Sequence, residues 1–305
     1  MNTEALIRLF SDGYPLDEMR MDIDKGFAML QDFERRFSRF VEGNELWRFN
    51  HSSVAVLSYD LCVMLTCAKR YYALTDGIFD PSILGALRHE GYRVGRQDGY
   101  LGDVSDIEDS MSSSDFSRLV VDETLLQAEK PERMMIDLGG IAKGYIIDKV
   151  ADSLAAKYEN VLVDIGGDMR ALGGDRGQDV AYWPISIEHP IDDMRKMPLL
   201  ALSEMAVATS GINRRYWFNE GKRKHHLIDP RTRKSVETDA LSVTVIAKKA
   251  SEADVWAKTF LISGIEAGMR WSERVGLPAV FVASDGSVLM NRYVHGYIVG
   301  EYRKS

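Results

Sequence analysis

Two cysteines in 305 residues cannot staple a small scaffold, and their placement excludes even one local bridge. Cys62 and Cys67 share the apolar run Leu61-Cys62-Val63-Met64-Leu65-Thr66-Cys67. On a helix they point in different directions, so they read as free thiols of a reducing compartment. No apolar run reaches the roughly 18 residues that a membrane span requires, so none is expected. The chain as given shows no basic-plus-apolar leader and no lipid-attachment cysteine near its start, and it reads as cytoplasmic. Positive charge is also short: 38 Lys and Arg stand against 46 Asp and Glu, a net of −8. With no basic stripe interleaved with aromatics, nucleic acid is not an expected partner. The same acidity means that an anionic ligand must be met by local cations or metal.

Internal repeats at a solenoid period are missing as well. A hydrophobic content of 45% and a charged content of 28% are ordinary for a globular protein with ample core. Residues 1–50 read as a helical start, because Ile23, Phe27, Met29, Leu30, Phe33, Phe37 and Phe40 recur near helical spacing. A second helix is expected over 53–74, a turn over 75–81 and a polar loop or insertion over 95–117. A short strand fits 119–121, and 134–136 leads into a glycine loop followed by a helix beginning near Lys143. Strands fit 161–165, 184–188, 205–209, 226–228 and 242–246, with a helix over 252–263. Residues 279–283 and 288–290 form a hairpin turning at Asp285-Gly286. Helices mixed with strands in no strict alternation argue α+β rather than a doubly wound sheet.

The most informative stretch is Asp137-Leu138-Gly139-Gly140-Ile141-Ala142-Lys143-Gly144-Tyr145. A tight glycine loop that feeds a helix N-terminus offers free backbone N–H groups and a favourable dipole to an anion. Lys143 adds a mobile positive charge, and Asp137 can hold a hydroxyl, an amine or a metal. A phosphate-cradling P-loop is excluded, because the order is Lys-Gly and Tyr145 stands where a magnesium-holding hydroxyl belongs. A dinucleotide fingerprint is excluded too, for want of Gly-x-Gly-x-x-Gly.

Further motifs follow in order. Upstream is Asp76-Gly77-Ile78-Phe79-Asp80-Pro81; downstream come Asp164-Ile165-Gly166-Gly167-Asp168, Ser210-Gly211 and His225-His226-Leu227-Ile228-Asp229-Pro230. Leu241-Ser242-Val243-Thr244-Val245 and Glu252-Ala253-Asp254-Val255-Trp256-Ala257-Lys258 complete the set. Together they resemble the ApbE family, the FAD:protein FMN transferases, from about Phe33 to about Gly264. The resemblance implies a single domain over 1–305, possibly of two subdomains around an FAD cleft. Its fold would be an α+β, mixed-sheet, T-fold-like core with flanking helices.

The implied activity is magnesium-dependent. FMN passes from FAD to a threonine hydroxyl of an acceptor protein, and AMP is released. Alternatives within the family are a magnesium-dependent FAD pyrophosphatase and a non-catalytic FAD binder. By resemblance, Phe40, Ile78, Phe79, Asp80, Asp137, Lys143 and Ile228 contact FAD. Gly140 offers its carbonyl to magnesium together with the position of Asp254. His226 is the candidate general base, since a histidine titrating near neutrality suits a hydroxyl nucleophile, and His225 is its rival. Alternation along a strand would send the two to opposite faces.

Two departures stand out. Relatives commonly open with a strand carrying Met-Gly-Thr, which has no match here. Many also carry Thr four residues after the metal-binding Asp, where this chain has Lys258. A charged lysine cannot give magnesium a lone pair, so Lys258 replaces a ligand with a positive charge.

Overall fold

Strand Ala240–Ala247 is apolar or small on both faces, and nearly every residue of it is buried. That pattern belongs to the middle of a covered sheet. It pairs antiparallel with Met205–Gly211 on one side and Ala279–Ala283 on the other, Val243 facing both Ser210 and Phe281. Asp168–Leu172, Asn160–Ile165 and Ala5–Phe10 extend the sheet one way and Val288–Met290 the other, giving seven strands, every pair antiparallel.

The computed structural model describes residues 3–92, 115–213, 215–219 and 221–300. Two compact units divide the chain: residues 1–2, 33–142 and 215–237 form one, and 3–32, 143–214 and 238–305 form the other. The seven-stranded sheet belongs to the second unit. Helix Ala250–Ser263 packs on it, with Ala253 against Ala208 and Ala247 and Phe260 against Phe281, while Trp256 meets Trp271 of the next helix. Helix Ala142–Ala155 reaches the start of that helix at Gly144, where a Cβ would stand 2.4 Å from the backbone of Ser251. The start of Ala250–Ser263 has no side-chain cap of its own. Asp148 supplies one, accepting the N–H groups of Ala250 (2.7 Å) and Ser251 (3.0 Å) and the Ser251 hydroxyl (2.8 Å).

The first unit holds helices Glu45–Asn50, Tyr59–Leu74 and Leu84–His89 and a small sheet ordered Val54–Val56, Gln127–Glu129, Val120–Asp122. It also holds the hairpin of Tyr216–Asn219 with Lys222–His225. Asn50 acts as a latch: its side chain donates to the Ile136 carbonyl (2.9 Å) and accepts the Ile136 N–H (2.8 Å). Buried Lys130 donates to the carbonyls of Met134 (2.8 Å) and Asn50 (3.2 Å). These bonds satisfy the backbone of a segment that belongs to no sheet and fix how the chain enters the glycine loop.

The architecture is α+β, as expected, with local corrections. The helical start is preceded by strand Ala5–Phe10, and helix Leu16–Phe37 follows it. The expected helix over 53–74 begins only at Tyr59, capped by Ser58, because Val54–Val56 is a strand. The polar stretch 95–117 lies outside the described residues except at its end, where Phe116 is fully buried in a short 3-10 turn. The strand expected over 226–228 is shifted: Lys222–His225 ends before it, and Ile228–Asp229 starts only at its last residue.

Candidate active-site residues

In the first unit the glycine loop is organised by Asp137. Its Oδ1 accepts the N–H of Gly139 at 2.6 Å, and a Cβ at Gly139 would lie 2.7 Å from that oxygen. The Asp137 N–H donates to the Pro81 carbonyl at 2.8 Å, so the 78–81 segment and the glycine loop are direct neighbours. Asp80 turns its carboxylate onto Ser82, accepting from its N–H (2.7 Å) and its hydroxyl (2.6 Å). Burial pushes the Asp80 carboxyl up, while the Ser82 donors and Arg233 oppose that. Gly140 is half-buried at the end of the loop.

Asp137 also binds Arg39, whose Nε lies 3.2 Å from Oδ2. The guanidinium carbon sits 4.5 Å from the ring centre of Phe40 and 4.3 Å from that of Tyr92. Tyr92 stacks on Trp217 at 4.9 Å with 7° between the planes, and Trp217 donates its indole N–H to the Glu90 carbonyl at 2.7 Å. His226 lies beside this cluster, its ring 6.3 Å from Tyr92 and its Nδ1 3.4 Å from the Arg215 carbonyl. His225 is buried instead, with Nε2 at 3.0 Å from the Val236 carbonyl; burial pushes its pKa down. Phe79 and Ile228 turn their side chains into the core, Ile228 against Ala86 and Leu87. That leaves little more than their backbones for a ligand.

In the second unit the turn Gly166-Gly167, both with positive φ (62° and 89°), returns the chain from Asn160–Ile165 into Asp168–Leu172. Two consecutive left-handed residues are what a tight hairpin of this kind requires, and glycine supplies them without strain. The turn sets Asp168 at the strand start, 1% exposed, with Oδ2 2.6 Å from Lys143 Nζ and Oδ1 accepting the Thr209 N–H at 3.2 Å. On helix Ala250–Ser263, Lys258 forms an ion pair with Oδ1 of Asp254, which is 2% exposed. Burial pushes the Asp254 carboxyl up; Lys258 and Lys143 act against that and Asp168 with it. Two buried acids and two lysines thus form one electrostatic group.

This constellation follows the order of the motifs, and residues 1–281 match the profile described as the ApbE family. The chain belongs to the ApbE family. It is 30% identical over 270 residues to the FAD:protein FMN transferase of Vibrio cholerae, covering 87% of this chain and 79% of that one. The FAD:protein FMN transferase of Klebsiella pneumoniae is 27% identical over 299 residues, covering 95% and 89%. Among solved structures, the flavin transferase ApbE from Vibrio cholerae aligns with a TM-score of 0.82 at 26% identity, covering 98% of this chain and 96% of that one. The ApbE protein from Thermotoga maritima shares the fold, with a TM-score of 0.84 at 23% identity over 98% and 100% of the chains.

For an ApbE protein the fit to magnesium turns on Asp254. Its Oδ2 is buried and has no hydrogen-bond partner among the described residues, which suits a cation. Against that, Lys258 occupies Oδ1, and no group of three or more His, Cys, Asp or Glu among the described residues could hold a metal. The donors fit one ion that touches the protein at few points and keeps most of its waters. Gly140 lies in the first unit and carries its metal assignment through the family resemblance alone.

Sequence reasoning gave no role to Arg39, Tyr92 or Asp168. Asp168 had a signal, since it ends the Gly-Gly motif. Arg39 and Tyr92 had none, because what marks them is the aromatic cluster that the fold assembles.

Proposed function

We propose that this ApbE-family transferase moves FMN from FAD to a threonine hydroxyl of an acceptor protein, with magnesium, and releases AMP. Family membership supports the flavin chemistry, and the observation that carries the assignment of roles is the Lys143–Asp168 and Asp254–Lys258 group. A pyrophosphate needs fixed cations where negative charge builds up on the leaving phosphate. The buried acids hold both ammonium groups in place. The family resemblance supports FAD contacts for Phe40, Ile78, Asp80 and Asp137 as well.

His226 takes the threonine proton as the hydroxyl oxygen attacks the phosphorus of the FMN half. The new bond is the FMN phosphoester, the bond that breaks is the one to the AMP oxygen, and AMP leaves with the electron pair. Magnesium, where bound at Asp254, would supply further neutralisation of the pyrophosphate. Cytoplasmic placement is supported by two unpaired thiols, Cys62 and Cys67, which suit a reducing compartment. Among the described residues no helix is long and apolar enough to cross a membrane. The test is incubation with FAD, magnesium and a threonine-bearing acceptor, followed by intact mass. A gain equal to FMN supports transfer; free FMN with unmodified acceptor makes the protein a pyrophosphatase, and bound, uncleaved FAD makes it a binder.

A further inference from the structure

Arg39 is the residue of the first cluster whose bonding is incomplete. Its side chain is 9% exposed, and its Nη2 is buried with no hydrogen-bond partner among the described residues. Arg36, one helical turn earlier, shows what a satisfied arginine looks like here. Its Nη1 donates to Asp60 at 2.9 Å, and its Nη2 to Glu45 at 3.0 Å and Ser58 at 2.8 Å. Burying an N–H of a charged fork without an acceptor is costly, so such a group is matched by something else when the protein works.

We infer that Arg39 reads the edge of a planar heteroaromatic ring, its Nη2 donating to a carbonyl oxygen or imine nitrogen of a ring held against Phe40, Tyr92 and Trp217. The neighbours decide against a phosphate. The Nε of Arg39 already serves Asp137, so the pair is neutral as a whole, and an incoming phosphate would meet the Asp137 carboxylate. The lysines suited to phosphate, Lys143 and Lys258, belong to the other cluster. The guanidinium itself lies over the Phe40 and Tyr92 rings at 4.3 to 4.5 Å, so a flat ligand that meets the edge of the guanidinium in its own plane continues the same aromatic packing. The inference rests on the proposed flavin transfer, which makes the ring either the isoalloxazine or the adenine of FAD.

Calorimetric titration of FAD, riboflavin, adenosine and inorganic pyrophosphate into the unmodified protein, Arg39→Met and Arg39→Lys tests it. Lysine keeps a cation for Asp137 but lacks the planar fork, so it guards against simple misfolding. Both variants should weaken FAD by about tenfold or more, and weaken one of the two phosphate-free ring probes by a similar factor. Riboflavin as the affected probe identifies the isoalloxazine, adenosine the adenine; pyrophosphate affinity should stay unchanged. Weakened pyrophosphate with both ring probes intact would make Arg39 a phosphate contact and overturn the inference. FAD bound equally by all three proteins would overturn it as well, leaving flavin transfer standing. An unmodified protein that binds no FAD would remove the transfer reading and this assignment together.

Discussion

His225 and His226 are neighbours of one chemical type that the fold sends into different environments, one buried on the Val236 carbonyl and one beside Tyr92. His226→Ala is expected to lower transfer turnover by about 10²–10⁴-fold while FAD affinity holds. His225→Ala should lower thermal stability and leave turnover close to unmodified; a larger turnover loss at His225 would reverse the assignment. Lys258 separates two roles of Asp254. Breaking a buried pair leaves an uncompensated charge, so Lys258→Thr should destabilise the magnesium-free protein by about 3–5 kcal/mol at most. Magnesium should then restore stability at lower concentration than the unmodified protein needs, as read by melting temperature against magnesium. Identical titrations would contradict this. Lys130 gives a pH signature. Burial pushes its ammonium down to about 8, against 10.5 unperturbed, so below pH 8 both folded and unfolded states carry the proton and the burial cost is complete. Between pH 8 and 10.5 the unfolded state binds more protons, so folding is favoured as pH rises. Relative to Lys130→Met, the unmodified protein should gain up to roughly 3 kcal/mol over that window in urea unfolding. A pH-independent difference would remove the argument. Motif order marks Lys143, Asp137 and His226 as candidates, whereas Lys130 shows nothing unusual in sequence, because its burial comes from packing.

The decisive contact between elements is where helix Ala142–Ala155 meets the start of Ala250–Ser263. Gly144 permits backbone approach and Asp148 caps the second helix from the first, which carries Lys143 toward the charged group around Asp254. Asp148→Ala leaves those donors uncapped and should cost about 1–3 kcal/mol in urea unfolding, with FAD binding weakened alongside. A loss under about 0.5 kcal/mol would show that the clamp is not what sets the helix pair. Elements with strong periodicity were legible: the hairpin of Ala279–Ala283 and Val288–Met290 has its expected bounds. Strand Ala5–Phe10 was missed although Ile7 and Leu9 alternate with Leu6 and Arg8, because helical spacing from Ile23 onward dominated the reading of 1–50. Val54–Val56 is three residues long and mostly exposed, so no buried face marked it.

Across the whole molecule, the fold class and family were legible because the motifs keep their order along residues that the family profile matches almost end to end. The assembly of the first unit from separate stretches was not. It depends on bonds such as Asn50 to Ile136 and Lys224 to Glu90, spanning 86 and 134 residues, which no local pattern announces. The net charge of −8 belongs to this scale too: the general field repels an anion, so the proposed attraction of a pyrophosphate rests on Lys143 and Lys258. The central claim is transfer of FMN rather than release of it. The direct measurement is the ratio of AMP formed to FMN-bearing acceptor in one reaction with FAD, magnesium and a threonine-bearing acceptor. The account predicts one AMP for each acceptor molecule modified. AMP accumulating while the acceptor keeps its original mass would contradict it.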